Sequence, residues 1–154
     1  MSARRCAHPD DTVAAGRALA AWLVPGDVVV LTGPLGAGKT VFSTGVAAAL
    51  GVRERVTSPT FTLVRPHACA NDRGIATLYH ADLYRVESLD EAADLALGEL
   101  VEESAVALIE WGERAEALWG PDHWEVRFTI EDDDVRELAL TAPPGRAPVT
   151  GWAA

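Results

Sequence analysis

Hydrophobic residues fall along this chain in three rhythms, and each predicts a different element. Two nearly unbroken apolar runs, Asp27 to Thr32 (DVVVLT) and Ala105 to Ile109 (AVALI), have the composition of strands buried on both faces of a parallel sheet. Helical spacing predicts a helix over Thr12 to Leu23, with Val13, Leu19, Trp22 and Leu23 on its apolar side. Asp11 is its predicted N-cap and Pro25-Gly26 its stop. The same spacing predicts a helix over Thr40 to Leu50, ended by Gly51. Ser88-Leu89-Asp90-Glu91 reads as a capping box opening a helix that reaches about Leu97, and Gly112 to Leu118 as a short helix. Alternation, the third rhythm, marks Trp124 to Ile130 and Val135 to Thr141 as a hairpin turning across Glu131 to Asp134.

The remaining segments carry weaker signals. Thr57 to Thr62 (TSPTFT) reads as an ordered loop feeding a strand around Leu63 and Val64. Pro66 to Arg73 reads as an exposed loop, and Ile75 to His80 returns to strand character. No internal repeat occurs. From Pro143 onward, Pro, Gly and Ala predict a poorly ordered tail. The expectation is an α/β fold in three layers, with a mostly parallel central sheet and antiparallel strands at the C-terminal edge. One domain would span residues 1–142, with 143–154 as the tail.

Between the first buried strand and the helix after it stands Gly33-Pro34-Leu35-Gly36-Ala37-Gly38-Lys39-Thr40, which fits G-x-x-x-x-G-K-[ST], the phosphate-binding P-loop pattern. Lys39 is the only lysine among 13 basic residues; the other twelve are arginine. The chain thus keeps a compact ammonium where the loop requires one, a place where arginine's planar fork would not fit. Strand, glycine loop and helix together aim backbone N–H groups and the positive end of the helix dipole at bound phosphate. The predicted cradle runs through Gly33, Leu35, Gly36, Ala37, Gly38, Lys39, Thr40 and Val41. Lys39 would reach the β- and γ-phosphates of a nucleotide, and the Thr40 hydroxyl would be a ligand of Mg²⁺.

The 154 residues suffice for one domain with a real core. Asp plus Glu number 23, and the net charge of −10 opposes direct contact with a phosphate backbone. Any role near nucleic acid would therefore run through a partner protein. Cys6 and Cys69 are too few for a disulfide framework and read as reduced thiols. No apolar run reaches membrane length, and Met1 to Arg5 lacks the apolar core of a signal peptide, so the expectation is a cytoplasmic protein away from membranes.

Hydrolysis needs a carboxylate beside the phosphate loop to hold the metal or position water. Glu110 and Asp82 each end an apolar strand, where an open α/β sheet presents residues to its ligand crevice. The alternatives are a helix-capping Glu110 and a turn-forming Asp82. Thr60 is a candidate for sensing the γ-phosphate, because hydroxyls in the loop after a P-loop helix order around Mg²⁺ and triphosphate. Position alone reads Trp111 as core, His80 as a structural histidine, and Asp132 to Asp134 as a solvated turn.

Four blocks in series resemble the TsaE (YjeE) family of small bacterial ATPases of tRNA threonylcarbamoyladenosine modification. They are Leu31 to Thr40, Ser58 to Val64 (SPTFTLV), His80 to Arg85 (HADLYR) and Leu108 to Glu113 (LIEWGE). The resemblance covers about Asp11 to Leu140. It implies that Thr40 and Glu110 ligate Mg²⁺ with Asp82 near the metal, that Thr60 lies in a switch-like loop, and that Trp111 neighbours the site. It also places Thr12 and Arg136 near the nucleotide. It further implies an ATPase that binds the TsaB–TsaD heterodimer, supports modification of the adenosine next to the tRNA anticodon without transferring the group itself, and meets tRNA only through that complex. The chain departs from the family at Pro34, where an acidic residue is usual, and at Val41, where a small hydroxyl residue is common. Two other readings compete: a small-molecule kinase with Arg65 and Arg73 on a lid, and a binding module in which ATP only sets a conformation. A GTPase is disfavoured, since its guanine motif needs a second lysine.

Overall fold

The apolar runs become the centre of a seven-stranded sheet. In a computed structural model, which describes residues 1–58, 63–101, 104–132, 134–147 and 149–153, the strands are β1 (Ser2–Cys6), β2 (Val28–Thr32), β3 (Val64–Ala68), β4 (Thr77–Asp82), β5 (Ala105–Glu110), β6 (Trp124–Ile130) and β7 (Arg136–Thr141). Their order is β1-β7-β6-β2-β5-β4-β3. The pairs β6/β2, β2/β5 and β5/β4 are parallel, while β3 and the β7–β1 pair flank them antiparallel. All six residues of β5 are buried, as a strand covered on both faces requires. The predicted fold class holds, with antiparallel pairing at both edges rather than at the C-terminal edge alone.

Helices cover both faces. On one lie α1 (Pro9–Ala20) and α2 (Lys39–Ala49); on the other lie four short pieces, α3 (Leu89–Ala93), α4 (Leu97–Leu100), a 3-10 turn (Gly112–Ala115) and α5 (Glu116–Trp119). The first two cross at glycines. A Cβ on Gly45 would sit 2.1 Å from the Val13 carbonyl oxygen, and one on Gly16 would sit 2.3 Å from that of Phe42. Among the described residues no helix is long and apolar enough to cross a membrane.

Several boundaries differ from the expectation, each for a local reason. The first helix starts at Pro9, and Asp11 stabilises its start from inside: its Oδ2 accepts from the Ala7 and His8 N–H groups at 3.0 Å each. The sequence reading contained no β1, whose pairing with β7 is wholly nonlocal. Part of the predicted 66–73 loop is β3, where Pro66 is tolerated because the strand is an edge. The helix expected from Ser88 to Leu97 is broken in two: Ser88 caps α3 by accepting from Glu91 N–H, but Ala96 takes a left-handed φ of 49°.

The segment after Ala142, expected as a poorly ordered tail, packs against the body. Arg146 donates to both Asp27 carboxylate oxygens and to the Trp22 carbonyl. Val149 and Trp152 are buried, and the Trp152 ring meets Phe42 edge-on at 6.3 Å. Proline and glycine deny this stretch regular structure, yet its two apolar anchors still bury; periodicity cannot register anchors outside a helix or strand.

Candidate functional site

The loop that follows β2 begins at Gly33 with φ 137°, where a Cβ would lie 2.6 Å from the Phe128 carbonyl oxygen on β6. Only glycine makes that turn. Gly38, at φ 100°, then enters α2, so the orphan N–H groups of the first helical turn face the loop's concavity. Lys39 is nearly buried, at 5% exposure. Its ammonium donates to the Gly33 and Pro34 carbonyls at 2.7 and 2.8 Å and lies 3.9 Å from the centre of the Trp111 ring. Burial pulls the Lys39 pKa below that of an ordinary lysine, while the charges of Glu110, Glu113 and Asp82 pull it back up.

Strand alternation delivers the two carboxylates. On β4, Leu78, His80 and Asp82 share a face; on β5, Val106, Leu108 and Glu110 share the same one. Leu78, Val106 and Leu108 pack in the cluster beneath α2, which brings Glu110 under the start of that helix. Parallel register sets Asp82 beside Glu110. The Thr40 hydroxyl donates to Glu110 Oε1 at 3.0 Å, and Glu110 Oε2 lies 2.5 Å from His80 Nε2. Asp82 accepts from the Ser58 hydroxyl at 2.7 Å and from the Tyr84 N–H at 2.9 Å. Both carboxylates therefore stand at the mouth of the loop, bonded rather than exposed.

The other predicted residues group around the loop in two places. Thr12, Gly36, Ala37, Gly38, Val41 and Arg136 line one cavity of about 280 Å³. Arg136 donates to the Gly36 carbonyl at 3.4 Å, and Thr12 approaches Gly38 from α1. Leu35, 71% exposed, is present through its backbone only. Thr60 lies outside the described residues. Trp111 does both of the things expected of it: half-buried and left-handed at φ 61°, it packs against the cluster on the other face, and its ring lies over the Lys39 ammonium, tilted against Tyr84 at 4.9 Å. Arg73 does not serve a lid. Its guanidinium donates to the Ala20 and Ala21 carbonyls at the end of α1, the first of which also accepts from Leu23 N–H.

Sequence reasoning passed over His80 and Ser58 as partners of the carboxylates. The signal was present for His80, which stands two residues before Asp82 and so on the same strand face. The hydroxyl partner of Asp82, Ser58, comes from a loop 24 residues away, which no local pattern reveals. Both cysteines are free thiols, and burial pushes each above its usual pKa.

Three comparisons converge on one family. The family described as threonylcarbamoyl adenosine biosynthesis protein TsaE matches residues 6–138. The Bacillus subtilis tRNA threonylcarbamoyladenosine biosynthesis protein TsaE is 40% identical over 142 residues, covering 92% of this chain and 86% of that protein. Its namesake from Treponema pallidum is 46% identical over 130 residues, covering 84% and 93%. The crystal structure of Bacillus subtilis YdiB superposes with a TM-score of 0.72 at 34% identity, covering 92% of this chain and 84% of that one. With the family match spanning most of the sequence and the fold agreeing, this chain belongs to the TsaE family.

Proposed function

We propose that this protein is a Mg²⁺-dependent ATPase of tRNA threonylcarbamoyladenosine biosynthesis, acting in the cytoplasm on behalf of a TsaB–TsaD heterodimer. The carrying observation is the Thr40–Glu110 pair, a hydroxyl and a carboxylate 3.0 Å apart at the N-terminus of α2, beside a nearly buried Lys39. The donor set fits the metal. Mg²⁺ takes oxygen ligands, few of them from protein, and completes its shell with phosphate and water. Thr40 and Glu110 would hold it, with Asp82 beside them. Bound there, it would neutralise charge on the β- and γ-phosphates.

The remaining roles belong to the chain's own groups. Lys39 exchanges its two carbonyl acceptors for phosphate oxygens, and the N–H groups from Gly36 to Thr40 bind the phosphates' outer faces. The nucleoside lies in the cavity between Thr12 and Arg136. Glu110 and Asp82 orient the attacking water. The pair Trp111 and Tyr84 shields Lys39 from solvent on the open side. The acidic surface keeps tRNA off the isolated protein, so contact with the modification machinery runs through protein.

Steady-state ATP hydrolysis, measured alone and with the TsaB–TsaD pair, tests this reading. The expected result is slow turnover alone, clear stimulation by the pair, and loss of at least about 100-fold in Lys39→Ala, in line with removing one preorganised charge from a developing transition state. Stimulation that survives in Lys39→Ala would sink the ATPase reading. Tight nucleotide binding without turnover would favour the nucleotide-dependent binding module.

A further inference from the structure

We propose that His80 is the positioning residue of this site: its Nε2–H holds Glu110 Oε2 and thereby presents Oε1, the atom facing Thr40, as the ligand oxygen. This rests on the reading of Thr40 and Glu110 as the metal-holding pair.

Three observations carry it. First, the His80 side chain is fully buried, and among the described residues Nδ1 has no hydrogen-bond partner. A buried polar atom without a partner costs about 1–3 kcal/mol, so an apolar side chain would pack there more cheaply. The imidazole is therefore not explained by packing, and its bond to Glu110 is what it contributes. Secondly, an ionised carboxylate only accepts, so the nitrogen facing Glu110 must carry a proton. Glu110 is itself 3% exposed, and buried carboxylate oxygens need hydrogen-bond donors. Thirdly, those donors are divided one to each oxygen, Thr40 on Oε1 at 3.0 Å and His80 on Oε2 at 2.5 Å.

The terminal torsion of a glutamate is broad and roughly two-fold, so the carboxylate plane is free unless both oxygens are held. When the Thr40 hydroxyl turns to a cation, its hold on Oε1 is released, and His80 alone then fixes the plane. Strand geometry makes His80 suited to this. It lies on the Glu110 side of β4, paired in register with Leu108, and its ring reaches forward to the next residue on that face. Outer partners of metal ligands of this kind are worth about 10–100-fold in metal affinity or activity.

Mn²⁺ binding in the presence of ADP, followed by electron paramagnetic resonance, tests the proposal in wild type, His80→Leu and His80→Gln. The leucine variant should weaken Mn²⁺ binding about 10–100-fold while leaving ADP binding without metal unchanged. Glutamine, whose amide N–H reaches about as far as Nε2, should recover most of the loss. Equal Mn²⁺ affinity in wild type and His80→Leu would overturn the proposal. A wild type that binds ADP but no Mn²⁺ would overturn the metal reading, and this one with it. Should His80→Leu fail to fold, the ¹⁵N resonances of the His80 ring in the unmodified protein decide: they should show the proton on Nε2 and shift when Mg²⁺ is added with ADP. Unmoved resonances overturn the proposal.

Discussion

The two faces of the sheet are built differently. On the face carrying the phosphate loop, two helices of 12 and 11 residues meet backbone to backbone at Gly16 and Gly45, over a single cluster that reaches from Cys6 to Trp152. On the other face no helical piece among the described residues exceeds five residues, and Leu89, Leu100 and Leu118 stay more than a third exposed. Charge divides likewise. The stretch from Leu83 to Glu125, which includes the short helices but also Glu110, carries 12 of the 23 acidic residues and only Arg85 and Arg114 of the 13 basic ones. The two-helix face fixes Lys39, Thr40 and Thr12 around the glycine loop. The segmented face lends the site only a few side chains, among them Trp111, Tyr84 and the charge of Glu113. On the proposed function, phosphate would be held from the two-helix face while the segmented face stays open to a partner.

Trp152→Ala would test that comparison hardest. The ring is 1% exposed against Phe42, which in turn meets Phe128 edge-on at 5.6 Å. Truncation should cost about 3–5 kcal/mol in a denaturant melt, and nucleotide binding should fail through unfolding rather than through any direct contact. A loss under about 1 kcal/mol would mean that the C-terminal segment adds little to the two-helix face.

This is also where legibility in the sequence ran out. Runs such as Val28 to Leu31 and Ala105 to Ile109 announced the central strands because burial on both faces leaves no polar position to confuse the period. The loop between β2 and α2 was legible because its left-handed turns demand glycine at fixed places. Glu110 and Asp82 were legible as strand ends. The glycine crossing, β1 and the Trp152 anchor were not, because each depends on a partner distant in sequence. His80 lay between: its strand face followed from alternation, but its partner followed only from the β4–β5 register.

Two glycines, each inside a helix, sharpen the contrast at smaller cost. Alanine at Gly45 puts a carbon into the Val13 carbonyl oxygen, so α1 must move away from α2. About 1–3 kcal/mol should be lost to overpacking, and ATP affinity should fall as Thr12 withdraws from Gly38. Gly98 in α4 has nothing within 4 Å of the added carbon. There alanine removes the flexibility of glycine without a clash and should be neutral or stabilising by up to about 1 kcal/mol. Equal destabilisation at both positions, read from thermal melts, would erase the distinction between the faces.

The smallest effect tests the electrostatic link between them. Lys39 must be protonated to bind phosphate, and burial lowers its pKa while Glu110, Glu113 and Asp82 oppose that fall. Nucleotide affinity should therefore decline with rising pH at a lower pH than an ordinary lysine would give. Without nucleotide the sign for stability is opposite. The folded pKa lies below the unfolded one, so between the two the unfolded chain holds more protons and stability rises with pH; the Lys39 penalty is full only below the folded pKa. Glu113→Gln removes one raising charge, contributed from the segmented face by the 3-10 turn. The alkaline decline in ADP affinity should then begin at lower pH, with little change at neutral pH. An unshifted profile in Glu113→Gln would mean that the charge of Glu113 does not reach the Lys39 ammonium.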